Sequence, residues 1–218
     1  MDGMTVHKLR DAVVVMVGFL ALIWALQVLN WADGYRLDAD FGILPMHLSR
    51  LPDIFTAPFL HFSWAHIEGN SGPLFIFGFL AAYRGVPKFL LVTLFVAITS
   101  GLGAWIFESP NSLGAGASGI VFGYFGYIMV RGFFDRHLID VMLGLVMALC
   151  FAYQFSVLVP QQGIGWQAHI GGLVGGVAAG WLFRDRRPGS VPRGQKPAGT
   201  NPGGPRADLH QELRDLGL

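Results

Sequence analysis

Charge is what this chain has least of. Only 13% of its 218 residues are Asp, Glu, Lys or Arg, about half the share found in an average soluble domain. That scarcity excludes a densely solvated surface. Neither sign dominates: 15 basic side chains stand against 14 acidic ones, for a formal net charge of +1. Nothing in that balance provides an electrostatic partner surface for nucleic acid. Cysteine is nearly missing as well. The single Cys150 rules out an intrachain disulfide, and its apolar neighbours give it the role of a small buried hydrophobe. No internal repeat is present. What remains is apolar: 53% of the residues are hydrophobic and the mean hydropathy is +0.50, the composition of an all-α membrane protein.

Six apolar segments carry that hydropathy, at about residues 12–29, 65–83, 89–107, 116–130, 138–159 and 166–183. A spanning helix takes about 17–25 residues, so the fourth reads as too short. The first follows Lys8 and Arg10. It exceeds the apolar core of about 7–15 residues in a signal peptide, and Gln27 to Trp31 offers no small-residue cleavage site, so a retained transmembrane helix is expected. Orientation follows from the basic residues at helix ends. Lys8, Arg10, Arg84, Lys88, Arg131, Arg136, Arg184, Arg186 and Arg187 fall on one side, and only Arg36 and Arg50 on the other. Nine against two places both termini in the cytoplasm. The expected organisation is a cytoplasmic N-terminus at 1–11, a six-helix membrane domain at 12–184, and a flexible Gly/Pro-rich cytoplasmic tail at 185–218 whose end, 207–218, can form a short amphipathic turn. The long first outer loop, about 30–64, mixes Trp31 and Tyr35 with Asp33, Arg36, Asp38 and Asp40. Such content predicts a segment lying partly in the membrane interface.

Three polar clusters interrupt the apolar segments. Ser118 precedes Arg131 by 13 residues, Asn70 precedes Arg84 by 14, and His169 precedes Arg184 by 15. At about 1.5 Å per residue, the three lie about 20–22 Å above those basic anchors, with His66 one turn above Asn70. In a hydrocarbon core of about 30 Å that is about 10 Å below the outer edge. Polar groups at that depth mark function by default. Leu113 to Gly116 is poor lipid-facing helix, so Ser118 is expected where a dipping loop becomes a helix, among free N–H groups that suit an oxyanion. Gly119, Gly123 and Gly126 follow it. Gly172, Gly176 and Gly180 recur at spacings of four on the sixth segment, on the face that His169 shares. Such faces let two helices approach closely, which makes a Ser118–His169 hydrogen bond possible, with His169 as general base.

Each residue also has an ordinary reading. A lone serine in a membrane helix usually bonds back to its own backbone. A lone histidine can be a polar contact between helices, His66 and Asn70 can bond each other, and the glycine faces are packing surfaces. The coincidence of depth beside a dipping loop is what favours chemistry. No acid lies near that depth on the fourth or sixth segment, and Asp140 sits at the opposite end of the fifth, so a Ser–His dyad is implied. Glu68 is expected to face the first loop in a structural role, paired with Arg50.

These residues resemble the rhomboid family of intramembrane serine proteases. The resemblance spans about 12–184. It rests on Gly116-Ala117-Ser118-Gly119, on His66 and Asn70 preceded by His61-Phe62-Ser63-Trp64-Ala65, and on Ala168-His169-Ile170-Gly171-Gly172 with Gly176. It implies a six-transmembrane-helix rhomboid-like bundle with Ser118 as nucleophile and His169 as base. His66, Asn70 and the Ser118 N–H would form the oxyanion hole, with Gly116, Gly119, Phe122, Gly172 and Gly176 in support. It also implies transmembrane protein substrates in the lipid bilayer, cut near small or helix-breaking residues, with no metal and no cofactor. Two positions depart from the family pattern. Phe122 stands where many members carry a Tyr that stacks on the histidine, and Gly69 where many carry a bulky residue. The small plan and the lack of organelle signals give a bacterial inner membrane as the expected location. The competing readings are a catalytically inactive relative that binds membrane clients, which the intact Ser, His, His and Asn oppose, and a small transporter, which would call for paired half-helices or repeats.

Overall fold

The computed structural model describes residues 3–161, 163–185 and 213. The expected flexible tail falls outside the described residues, apart from its first residue and residue 213. Seven α-helices are described: α1 (Gly3–Ala32), α2 (Arg36–Phe41), α3 (Trp64–Ala82), α4 (Val86–Phe107), α5 (Ser118–Asp135), α6 (Leu138–Cys150) and α7 (Trp166–Leu182). Short 3₁₀ helices at Leu48–Phe55, Ala57–Phe59 and Ala152–Leu158 complete the fold, and no β-strand occurs among the described residues.

Local chemistry sets several of the boundaries. The Ser63 side chain caps α3 by accepting the His66 N–H at 3.1 Å. Gly85, at φ +118°, turns the chain between α3 and α4, and Pro87 fits the first turn of α4, where its missing N–H costs nothing. Arg136 adopts the left-handed conformation that ends α5, and its N–H returns to the Gly132 carbonyl.

Large apolar side chains face outward as well as forming the core, and a set of polar side chains is enclosed among them. Val14, Val17 and Leu29 on α1, Leu90, Leu91 and Leu94 on α4, and Ile139, Met142 and Leu149 on α6 are exposed, whereas Gln27, Asn30, Asn70, Ser100, Arg131, Asp135 and His169 are buried. A surface of that kind suits lipid, and an interior of that kind marks polar work inside a bundle. Residues 5–32 of α1, together with α4, are long and apolar enough to cross a membrane on their own, and α6 with the following 3₁₀ helix forms a third such unit. Helices α3, α5 and α7 fall short of that measure because small and polar residues fill their faces. Those faces are turned inward. Helix α5 is buried along most of its length, with Phe122, Tyr124, Phe125 and Ile128 among the largest enclosed side chains.

Several sequence expectations need correction. Helix α1 is longer than the apolar segment at 12–29, running from Gly3 to Ala32. The fourth segment is not short: α5 continues through Arg131 to Asp135, 18 residues in all. It can do so because Arg131 is not an interfacial anchor. Its guanidinium is 3% exposed, donates to the Leu80 carbonyl at 2.9 Å and pairs with Asp140 at 3.2 Å. Asp140 also pairs with Arg84. Two of the three basic reference points used to compare depths therefore belong to an internal ion network. The fifth segment is not a single rod but bends by 64° between Cys150 and Ala152. Cys150 itself is exposed. Glu68 is exposed and makes no ion pair among the described residues. Arg50 instead pairs with Asp53 and donates to the Ala39 and Gly42 carbonyls, each at 3.0 Å.

The segment between α1 and α3 packs onto the helix ends nearest Ser118. Ile54 fills the space that Gly101 leaves on α4, where an added Cβ would lie 2.5 Å from the Ile54 Cβ. Ile43, Ile54, Ala57 and Ala104 form a small apolar cluster there. This packing fixes one wall of the site.

Candidate active site

A cavity of about 1040 Å³ opens among α3, α4, α5, α7 and the loops above them. Ser118, His169, His66 and Asn70 all line it. Ser118 is the first residue of α5, so its N–H is one of the helix's unsatisfied donors. His169 lies in the first turn of α7. Their side chains meet: His169 Nε2 is 2.9 Å from Ser118 Oγ. The other ring nitrogen, Nδ1, is 2.9 Å from the Val157 carbonyl. A carbonyl only accepts, so Nδ1 carries the hydrogen and Nε2 presents its lone pair to the serine hydroxyl. That is the tautomer a general base needs. Phe122, one turn after Ser118, stacks on the imidazole with centroids 4.6 Å apart and planes 24° apart.

The approach of α5 and α7 rests on glycine. A Cβ on Gly172 would run into the Gly119 carbonyl, and one on Gly176 into the Gly123 carbonyl. A Cβ on Gly119 would strike Ser100 Oγ, which itself donates to the Ala168 carbonyl at 3.0 Å. With both neighbours being backbone, only glycine lets the serine and histidine helices come this close.

On the other side of Ser118, the loop is pressed against α3. Gly116 has φ +124°, and a Cβ there would lie 2.7 Å from His66 Nε2 and 3.7 Å from Asn70 Nδ2. The Gly116 N–H donates to the Ala57 carbonyl at 2.9 Å. The Asn70 Nδ2 is buried and has no hydrogen-bond partner among the described residues. The Ser118 N–H, the His66 ring and the Asn70 amide thus border one space.

Two contributors had no sequence signal strong enough to single them out. His61 was visible only as a flanking residue. Its Nε2 accepts the Ala117 N–H at 3.3 Å, immediately before the serine, and its ring meets His66 edge-on with centroids 5.0 Å apart. Burial pulls the His61 imidazole down to about 3, so the ring is neutral and its nitrogen free to accept. Val157 contributes through its backbone, which no side-chain pattern reveals.

The model of the Rhomboid domain matches residues 48–186. The chain belongs to the rhomboid family. This rhomboid is an all-helical integral membrane protein, by its family and its apolar helices. It is 33% identical over 197 residues to an uncharacterised protein of Mycobacterium tuberculosis, covering 86% of this chain and 81% of the relative. It is 29% identical to the putative rhomboid protease YdcA of Bacillus subtilis, covering 82% of this chain and 91% of the relative. It is 25% identical to the rhomboid protease GlpG of Haemophilus influenzae, covering 81% and 93%.

Proposed function

We propose that this rhomboid is an intramembrane serine endopeptidase that cleaves transmembrane segments of other membrane proteins through Ser118 and His169. The observation that carries this reading is the 2.9 Å approach of His169 Nε2 to Ser118 Oγ, with Nδ1 held by the Val157 carbonyl, inside a cavity. His169 takes the serine proton as Oγ attacks the scissile carbonyl. The tetrahedral oxyanion forms where the Ser118 N–H, His66 and Asn70 converge, and donors placed in advance at such a point cost no rearrangement during the reaction. His169 then gives its proton to the leaving amine, and the C–N bond breaks. Water attacks the acyl-enzyme, His169 again accepts a proton, and Ser118 is restored as the acid product leaves. No carboxylate is needed in this scheme, because the peptide carbonyl of Val157 sets the tautomer.

The proposed topology has six spans, provided by α1, α3, α4, α5, α6 with its 3₁₀ continuation, and α7. Both termini lie in the cytoplasm, on the side of the nine basic residues, in a bacterial inner membrane. A substrate helix gains access between α3 and α6, where the cavity is lined by Gly69, Pro73, Tyr153 and Gln154. Gly69 removes any side chain from that approach.

The test uses purified protein in liposomes, a fluorophosphonate probe and a reconstituted transmembrane substrate. The expected result is labelling at Ser118 and cleavage, both lost in Ser118→Ala and His169→Ala while the melting midpoint is retained. Cleavage persisting in Ser118→Ala would refute the assignment. Client binding without labelling or cleavage in the unaltered protein would favour an inactive, client-binding relative.

A further inference from the structure

The lining of the cavity is apolar or neutral, with one conspicuous carboxylate. Glu108 caps the C-terminal end of α4, is half-buried, and faces the same space as Ser118 and His169. No Lys or Arg lines that space, and Glu108 has no ion pair among the described residues. Its one hydrogen bond is a long contact of 3.5 Å from Ser112 Oγ. The carboxylate is wedged between two glycines. A Cβ on Gly165 would lie 2.5 Å from Glu108 Oε1, and one on Gly114 3.3 Å from Oε2. Gly114 belongs to the loop that leads into Ser118. Gly165 precedes His169 by four residues and accepts its N–H at 3.4 Å, so the carboxylate lies beside the residue one helical turn, about 5.4 Å along α7, before the base.

Burial raises the Glu108 carboxyl above its ordinary value, the Ser112 hydroxyl only partly opposing this. An ionised group so placed has lost water and gained little in return, and a cation brought beside it recovers that loss. We propose, on the footing of the protease reading above, that Glu108 is a specificity-determining residue that receives a Lys or Arg side chain from the substrate segment, within a few residues of the scissile bond. A carboxylate near the start of α7 also interacts favourably with that helix's N-terminal dipole. No α7 N–H donates to it among the described residues, so it is not spent as a cap. A long cationic side chain is the ligand that suits a lone anion at the rim of a cavity without another carboxylate or any Lys or Arg in its lining: its stem lies against the apolar parts of the wall and its head meets the carboxylate. Neutral segments lack that partner, so discrimination arises from pairing or failing to pair one half-buried charge.

The experiment uses full-length protein in liposomes and a panel of synthetic transmembrane peptides. After mass spectrometry has located the cut in the parent peptide, each flanking position is changed in turn to Lys, Met or Glu. The expected result is a preference for Lys over Met of at least 10-fold in kcat/KM at one position. That ratio collapses toward unity in Glu108→Gln, and Glu108→Lys reverses the order in favour of Glu. A Lys preference that survives Glu108→Gln, or no charge preference at any position, overturns the inference. Equal loss on all peptides with a lowered melting midpoint overturns it too, and gives Glu108 a structural role in the loop before Ser118. Fluorophosphonate labelling of Ser118 is measured alongside. Absence of labelling and of all cleavage defeats the protease reading itself, whereas labelling and cleavage without charge discrimination defeat only this inference.

Discussion

His169 is held on three sides, by Ser118 at Nε2, the Val157 carbonyl at Nδ1 and the Phe122 ring across its face. The stacked ring fixes the imidazole plane without a hydrogen bond of its own. An aromatic pair of this kind contributes about 0.5–1.5 kcal/mol beyond its buried area. Phe122→Leu, which keeps apolar bulk, is therefore expected to lower kcat by about 2–12-fold, a change read from initial rates on one substrate with KM nearly constant. A second residue carries a pH signature. Asp38, on α2 within the segment between α1 and α3, is buried with neither carboxylate oxygen hydrogen-bonded among the described residues, and burial raises its carboxyl above the ordinary value, only partly opposed by the Asn30 amide. The folded state then holds the proton more tightly than the unfolded chain does. Its contribution to stability is present at low pH and is lost as pH rises through the raised value. Asp38→Asn should remove that loss. An unsatisfied buried polar group costs about 1–3 kcal/mol, and about 1 kcal/mol moves the melting midpoint by about 2–4 °C in a chain of this size. Melting curves from pH 8 down to the ordinary carboxylate range, about pH 4, should show the variant above the parent at the alkaline end and the gap closing as pH falls toward that range. Residue identities such as Ser118, His169, His66 and Asn70 could be picked out from the sequence because polar groups are rare in apolar segments. His61, Val157 and Glu108 could not, because what matters about each is a neighbour that only the fold supplies.

At the scale of elements, the contact of α5 with α7 decides whether a site exists. Glycines at spacings of four on the sixth segment were readable, since a small-residue stripe has one geometric use. Their facing partners were not, because the sequence does not say which carbonyl each one meets. Gly176→Ala drives a methyl against the Gly123 carbonyl, and backbone cannot give way as a side chain can. Overpacking of this kind costs about 1–3 kcal/mol, or roughly 2–12 °C in melting midpoint. Gly72→Ala is the matched control on α3, with nothing within 4 Å of the added atom. It is expected to be neutral or stabilising by up to about 1 kcal/mol. If both variants melt alike, the close approach is not what the glycines provide. The bend after Cys150 escaped the sequence reading for a related reason. No polar residue, Gly or Pro marks the sequence between Leu145 and Ala152, so hydropathy alone sees one rod.

Across the whole molecule, exposed apolar faces surround an apolar core that encloses a set of polar side chains, and the far end of the bundle from the serine is tied by charge. Arg84 and Arg131 both engage Asp140 on α6, Arg84 also reaches Asp135 at 3.5 Å, and Lys88 pairs with Asp185. Residues from the turn between α3 and α4, from α4, α5 and α6, and from the segment just after α7 meet there. Positive charge counted along the sequence gave an orientation but hid this use of it, since Arg84 and Arg131 read equally well as anchors at a membrane surface. Removing one partner of a buried pair costs about 3–5 kcal/mol because the other charge is stranded. Asp140→Ala is thus expected to lower the melting midpoint by well over 6 °C. A shift no larger than that of an exposed-site control such as Asp11→Ala would mean that the network contributes nothing.

The carbonyl that steadies His169 belongs to a short, tight helix beyond the kink in α6, not to the bundle proper. Any outward swing of that arm to admit a guest strips the imidazole of its acceptor, and the ring is then free to turn or to shift its proton to the wrong nitrogen. On the proposed function, admission by such a swing and proton transfer would exclude each other in time: the arm would have to return before the base could act.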